Sequence, residues 1–113
     1  MKNDPFLEKR SPFSEHLSIY TDNGGRSFKM KVEEKHMNAL GAAHGGAVFS
    51  LADRAFANSV NTQGKTAVAM EMKINFLKPA NPGDVLEASS RVIKEGRQTT
   101  VCLIEVTRGE DKV

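Results

Sequence analysis

Ala43-His44-Gly45-Gly46-Ala47-Val48-Phe49-Ser50-Leu51-Ala52-Asp53-Arg54-Ala55-Phe56 is the stretch on which the fold turns. Apolar residues at 48, 49, 52, 56 and 60 recur at the helical period. They predict a helix from about Gly45 to Thr62 with that stripe buried. Gly64-Lys65 follows, and Gly64 suits the left-handed conformation that closes a helix. Asp53 stands beside the stripe, and its neighbours three and four residues away are Phe49, Ser50, Phe56 and Ala57, none of them basic. A carboxylate among apolar side chains costs stability unless something satisfies it, and such groups concentrate at working sites. The plainer reading is an acid at the rim of the helix face that reaches water or a distant base.

Upstream, Asp22-Asn23-Gly24-Gly25 signals a turn. Phe28, Met30 and Val32 then alternate with Ser27, Lys29, Lys31 and Glu33, which predicts a strand with one buried face. Before the turn, residues 5–20 read as a short helix or loop anchored by Phe6, Leu7, Phe13, Leu17 and Ile19 and interrupted by Pro5 and Pro12. Downstream, Thr66 to Lys78 predicts a long strand with Val68, Met70, Met72, Ile74 and Phe76 on one face, the seat for the helix stripe. Pro79 to Asp84 is a turn, and two further strands follow, Val85–Lys94 and Thr99–Thr107, joined by Glu95-Gly96-Arg97-Gln98. Short links imply antiparallel pairing, and one helix must pack on one face of the sheet. The fold class is α+β.

A chain of 113 residues reads as one domain, 1–113, with 39% hydrophobic and 27% charged residues in the range of a soluble globular protein. A formal net charge of +2 gives no reason to expect a nucleic acid partner. Cys102 is the single cysteine; it reads as a small buried hydrophobe and fits a reducing, cytoplasmic location. No signal peptide or membrane-length apolar run is visible.

His16, His36 and His44 are scattered, with no cysteine or carboxylate at ligand spacing, so no metal is expected. A nucleophile elbow and a phosphate-binding glycine loop are both missing from the sequence. What remains is a helix N-terminus with two glycines plus one acid. First-turn N–H groups have no intrahelical acceptor, the helix dipole makes that end positive, and glycine lets a ligand oxygen come close. These are the parts of an oxyanion hole; alternatively, the glycines let the helix start pack tightly under a strand. Gly45 and Asp53 lie eight residues apart, about 12 Å along a helix. If both act on one substrate they come from two subunits, which predicts an isologous homodimer with two interface sites.

The run from Asn38 through His44-Gly45-Gly46 to Asp53 resembles the PaaI-like branch of the hotdog-fold acyl-CoA thioesterases. The likeness extends over roughly residues 24–108, including Ser50 to Ala57, Val68-Ala69, Ile74 to Ala80, Gly83-Asp84 and Glu95 to Thr99. The resemblance implies a hotdog fold, an antiparallel sheet wrapped around one long helix. It also implies hydrolysis of an acyl-CoA to free acid and coenzyme A, an aryl substrate such as a hydroxyphenylacetyl-CoA included. Asp53 would be the catalytic acid, Gly45 the backbone donor to the thioester carbonyl, Gly46 the support of the helix start, and His44 the shaper of this turn. Asn38 would orient the water or the carbonyl. Ala69 stands where some relatives carry a serine, and leaves room for a bulky acyl group. Lys78, Arg91, Lys94 and Arg97 would contact the coenzyme A phosphates, with ordinary solvated cations as the alternative. Coenzyme A belongs to the substrate, so no cofactor is implied; a homodimer, and beyond it a homotetramer, is. Such proteins usually end on one more strand, and here the chain stops at Asp111-Lys112-Val113, so that strand is expected to be short or missing. Three rival readings share these residues: a non-catalytic acyl-CoA binder or sensor, an enoyl-CoA hydratase, and a plain interaction domain.

Overall fold

The computed structural model describes residues 5–61 and 66–113. Helices α1 (Pro5–Glu8) and α2 (Pro12–His16) lead to strand β1 (Phe28–Lys31) and a 3-10 turn, Glu34–His36. The long helix α3 (Gly45–Val60) follows, then β2 (Val85–Glu95), β3 (Thr100–Arg108) and the two-residue β4 (Asp111–Lys112). The strands form one antiparallel sheet in the order β1-β2-β3-β4. Pro12 starts α2 rather than interrupting it, as a residue without an N–H can in a first turn. No helix among the described residues is long and apolar enough to cross a membrane.

Register explains the core. Phe28 pairs with Ala88 and Met30 with Leu86, so one face of β1–β2 presents four buried side chains to α3. The face that α3 returns is Ala47, Val48, Leu51, Ala52 and Ala55. This corrects the expected stripe: Val48 and Ala52 are buried, whereas Phe49, Phe56 and Val60 are only half-buried. Small side chains let the helix axis approach the sheet closely, and the aromatic residues at its flanks border open space. Leu51 is fully buried, and truncating such a leucine costs about 2–5 kcal/mol. In the N-terminal segment Leu7 and Ile19 pack against this core, but Phe13 is 65% exposed and anchors nothing in it.

A second correction concerns residues 66–78, which form no strand. Val68 and Met70 are 84% and 87% exposed, so this segment is not the seat of the helix. Its contact with the sheet is at one end, where Leu77 N–H and Lys78 N–H donate to Val113 O at 2.9 and 3.4 Å. A strand exists only where a ladder satisfies its backbone, and β4 carries that ladder no further than these bonds. The expected end of the helix also moves. Thr62 and the Gly64 cap lie outside the described residues, and α3 stops at Val60. The Asn61 amide donates to Ala57 O (2.8 Å) and Ala67 O (3.1 Å), and its oxygen accepts the Ala67 N–H (2.6 Å). This buried side chain ties the helix end to the segment beyond.

Candidate active site

The loop before α3 is built by side chains that satisfy its own backbone. Asn38 Oδ1 accepts the Leu40 and Ala42 N–H groups at 2.8 and 3.2 Å, a local turn that asparagine favours. His36 is buried; its Nδ1 accepts the Glu33 N–H at 2.9 Å and its Nε2 lies 2.7 Å from Leu17 O. A backbone N–H can only donate, so the ring hydrogen is on Nε2 and points at that carbonyl. The His36 carbonyl in turn accepts the His44 N–H at 2.7 Å, fixing where α3 begins.

His44 is the N-cap of α3, with an extended backbone (φ −65°, ψ 137°). Its Nδ1 accepts the Gly46 N–H at 2.8 Å, while the Ala47 and Val48 N–H groups share the His44 carbonyl at 2.9 and 3.2 Å. Four first-turn donors need acceptors. Among the described residues, only Gly45 N–H finds none. A Cβ on Gly45 would stand 3.0 Å from Cζ of Phe76, whose ring lies over the helix start. A Cβ on Gly46 would stand 3.0 Å from His44 Nδ1. Gly45 thus carries a donor without an acceptor among the described residues, and each glycine leaves room for a close neighbour, Phe76 at Gly45 and His44 at Gly46.

Asp53 is exposed and opens into a cleft of about 510 Å³ between α3 and the α1–α2 arm. It accepts no hydrogen bond among the described residues. Partial burial in the cleft pushes its carboxyl above the usual carboxylate range, and the neighbouring Arg54 charge offsets this in part. The Arg54 guanidinium lies over Phe28, 4.4 Å from the ring centroid, and 5.7 Å from that of Phe6. Its Nη1 is buried without a hydrogen-bond partner among the described residues, and desolvation pushes its pKa down.

Within one chain the structure keeps the helix start and the Asp53 cleft apart, two turns distant on α3. A larger cavity, about 820 Å³, lies on the other side of Phe49, between α3, residues 67–77 and β3. Ala69 is exposed in that segment. Arg91 and Lys94 are exposed on β2, Arg97 is exposed in the β2–β3 turn, and Lys78 Nζ lies 3.5 Å from Asp111 Oδ1 at the surface. None of these cations lines the Asp53 cleft. No cluster of metal-ligating side chains occurs among the described residues. Sequence reasoning missed Phe76 over Gly45 and Arg54 between two rings. The only signal for Arg54 was its place beside Asp53.

Comparison with known proteins gives one consistent answer. The model of the Thioesterase superfamily matches residues 40–113. Acyl-coenzyme A thioesterase PaaI of Escherichia coli is 42% identical over 94 residues, 83% of this chain and 67% of that protein. Acyl-coenzyme A thioesterase 13 of Homo sapiens is 32% identical over 81 residues, 70% of this chain. The chain spans only 58% of that human relative's length. The solved structure of the E. coli PaaI protein superposes with a TM-score of 0.83 at 36% identity, covering 92% of this chain and 78% of that one. A Streptococcus mutans structure bound to acetyl CoA superposes with a TM-score of 0.73 at 33% identity, covering 77% and 71%.

Proposed function

The chain belongs to the thioesterase superfamily, and on that footing we propose that it hydrolyses acyl-CoA thioesters to the free acid and coenzyme A. The observation that carries the reading is the Gly45 N–H, a helix-terminal donor that finds no acceptor among the described residues while its three neighbours are satisfied. A thioester carbonyl oxygen seated there gains negative charge as a tetrahedral intermediate forms, where a preorganised donor stabilises it most. Asp53, its basicity raised by partial desolvation, takes a proton from water as the water oxygen bonds to the carbonyl carbon. The intermediate collapses with loss of the coenzyme A thiolate, which recovers the proton. Asn38 keeps its side-chain amide N–H groups for the water or the carbonyl, since its oxygen is committed to the loop.

One chain cannot do this alone, because about 12 Å of helix separates the two groups. We place Asp53 of one subunit against the helix start of another in a two-fold homodimer, with a tetramer as a further assembly. Exposed Val68, Met70, Phe76 and Leu77, beside a backbone without a ladder, support a buried interface along residues 66–77. Acetyl CoA bound by the S. mutans relative supports a coenzyme A ester as ligand. Lys78, Arg91, Lys94 and Arg97 are the candidate phosphate contacts, and the acyl group includes aryl types.

The deciding experiment is free-thiol release from a panel of acyl-CoA esters, wild type beside Asp53→Ala. Release by the wild type and not by the variant supports the reading. Tight binding of acyl-CoA without release by the wild type would replace it with a non-catalytic binder.

A further inference from the structure

Three cations line the cleft that opens at Asp53, and the proposed hydrolysis uses none of them. Lys9 and Arg10 stand on the link between α1 and α2, Arg54 stands on α3, and Asp53 is the one acid among the lining residues. Arg10 is committed: its guanidinium donates to the Glu15 carboxylate at 2.7 and 3.2 Å. The side chains of Lys9 and Arg54 find no acceptor among the described residues. Asp53 does not serve Arg54, although the two are neighbours in the chain, because successive side chains on a helix point about 100° apart. Arg54 is the more constrained cation. Its guanidinium lies over the Phe28 ring at 4.4 Å and 5.7 Å from the Phe6 ring, and its Nη1 is buried. Ring contacts cover the face of the planar ion and leave its in-plane N–H donors unspent. A charge removed from water without an acceptor is costly, and an anion arriving with a ligand removes that cost.

We propose that the cleft takes acyl groups bearing a second carboxylate, the half-thioesters of short dicarboxylic acids, and that Arg54 binds that carboxylate with Lys9 beside it. The inference rests on the thioesterase reading and names a substrate class for the same site. With the thioester carbon at Asp53, the long pantetheine arm keeps the coenzyme A phosphates far from Arg54, so the anion that reaches it is carried by the acyl group. A guanidinium edge matches a carboxylate through two parallel hydrogen bonds. A space of about 510 Å³ holds a short methylene spacer between the two ends, with Phe49 in its lining.

The test compares thiol release from glutaryl-CoA and pentanoyl-CoA, equal in chain length, by wild type, Arg54→Met and Arg54→Lys. Beside it, calorimetry measures binding of the non-hydrolysable carboxybutyl-CoA thioether and of free coenzyme A. We expect Arg54→Met, which keeps an apolar stem against Phe28, to lower the glutaryl-to-pentanoyl ratio of kcat/KM about tenfold and to weaken the thioether by a similar factor. Arg54→Lys, which keeps the charge, recovers part of both. A merely structural role for Arg54 would lower both substrates together and leave the ratio alone. An unchanged ratio with unchanged thioether binding in Arg54→Met overturns the proposal and leaves the thioesterase reading intact. Equal weakening of free coenzyme A and the thioether also overturns it, since the anion at Arg54 is then a phosphate. If the wild type releases no thiol yet Arg54→Met weakens the thioether and spares coenzyme A, hydrolysis fails and the carboxylate site stands.

Discussion

His44 and Gly46 are joined by a short hydrogen bond, the Gly46 N–H to His44 Nδ1 at 2.8 Å. Its consequence falls on their neighbour: with Gly46, Ala47 and Val48 all satisfied at the cap, Gly45 N–H is the donor left over among the described residues. The histidine therefore selects which amide of the helix start is left free.

Gly45→Pro tests that donor without disturbing the helix. Gly45 is the first helical residue, where proline is favoured, and His44 already has the extended backbone that a following proline requires. Phe76 must shift, but it is half exposed and free to do so. Thermal unfolding should move by only a few degrees, while thiol release falls about a hundredfold, the usual loss for one oxyanion donor. Full turnover in a folded Gly45→Pro protein would remove Gly45 from the mechanism.

Asp53 gives a prediction with a sign. Partial burial raises its folded-state pKa above the unfolded value, so the folded chain holds this proton more tightly. Asp53 then favours folding below its unfolded pKa, and that contribution is lost as pH rises through the folded pKa. Asp53→Asn, neutral at every pH, should melt higher than wild type near neutrality, with the gap closing as the pH falls into the carboxylate range. Activity of the wild type should show an acid limb displaced above the range of an ordinary aspartate. Melting curves that differ equally at both ends of the pH range would contradict the burial argument.

How much of this was legible in the sequence follows from what each pattern measures. β1, α3, β2 and β3 stand where alternation and helical period put them, because those periods record which side chains meet a core. Residues 66–78 alternate equally well and make no strand, because alternation says which side chains share a face and nothing about a neighbour to complete the ladder. The buried stripe of α3 was misplaced for a related reason. Periodicity weighs Phe49 and Phe56 as core, yet a helix lying close on a sheet wants alanine at the contact and leaves its large rings at the edges. Asp53 and the His-Gly-Gly start were visible as residue types. That Gly45 rather than Gly46 carries the free donor depends on one imidazole orientation, which no spacing encodes.

Subunit mixing tests the two-chain site directly. Asp53→Asn and Gly45→Pro each inactivate both sites of their own dimer. In a mixed dimer one site pairs Asp53 of the Gly45→Pro chain with Gly45 of the Asp53→Asn chain, and the other site carries both lesions. Random exchange at equal amounts makes half the dimers mixed with one good site each, so activity should return to about a quarter of wild type. No recovery after verified exchange would place the reacting groups within one chain.

Gly25→Ala is the stability prediction furthest from the chemistry. Gly25 has φ +88°, a conformation side chains rarely adopt, and an added Cβ would stand 2.7 Å from Asn58 Nδ2. That amide, carried on α3, donates to Gly25 O at 3.1 Å and is buried, so it cannot swing into solvent to make room. Backbone strain and the displaced bond together should cost about 1–3 kcal/mol. Because Asn58 lies on the far half of α3 from Gly45, kcat of the protein that remains folded should be unaltered. Denaturant unfolding checks the first claim and active-site-normalised turnover the second; a melting point equal to wild type would mean that the turn at Gly24-Gly25 relaxes without α3, contrary to the packing seen here.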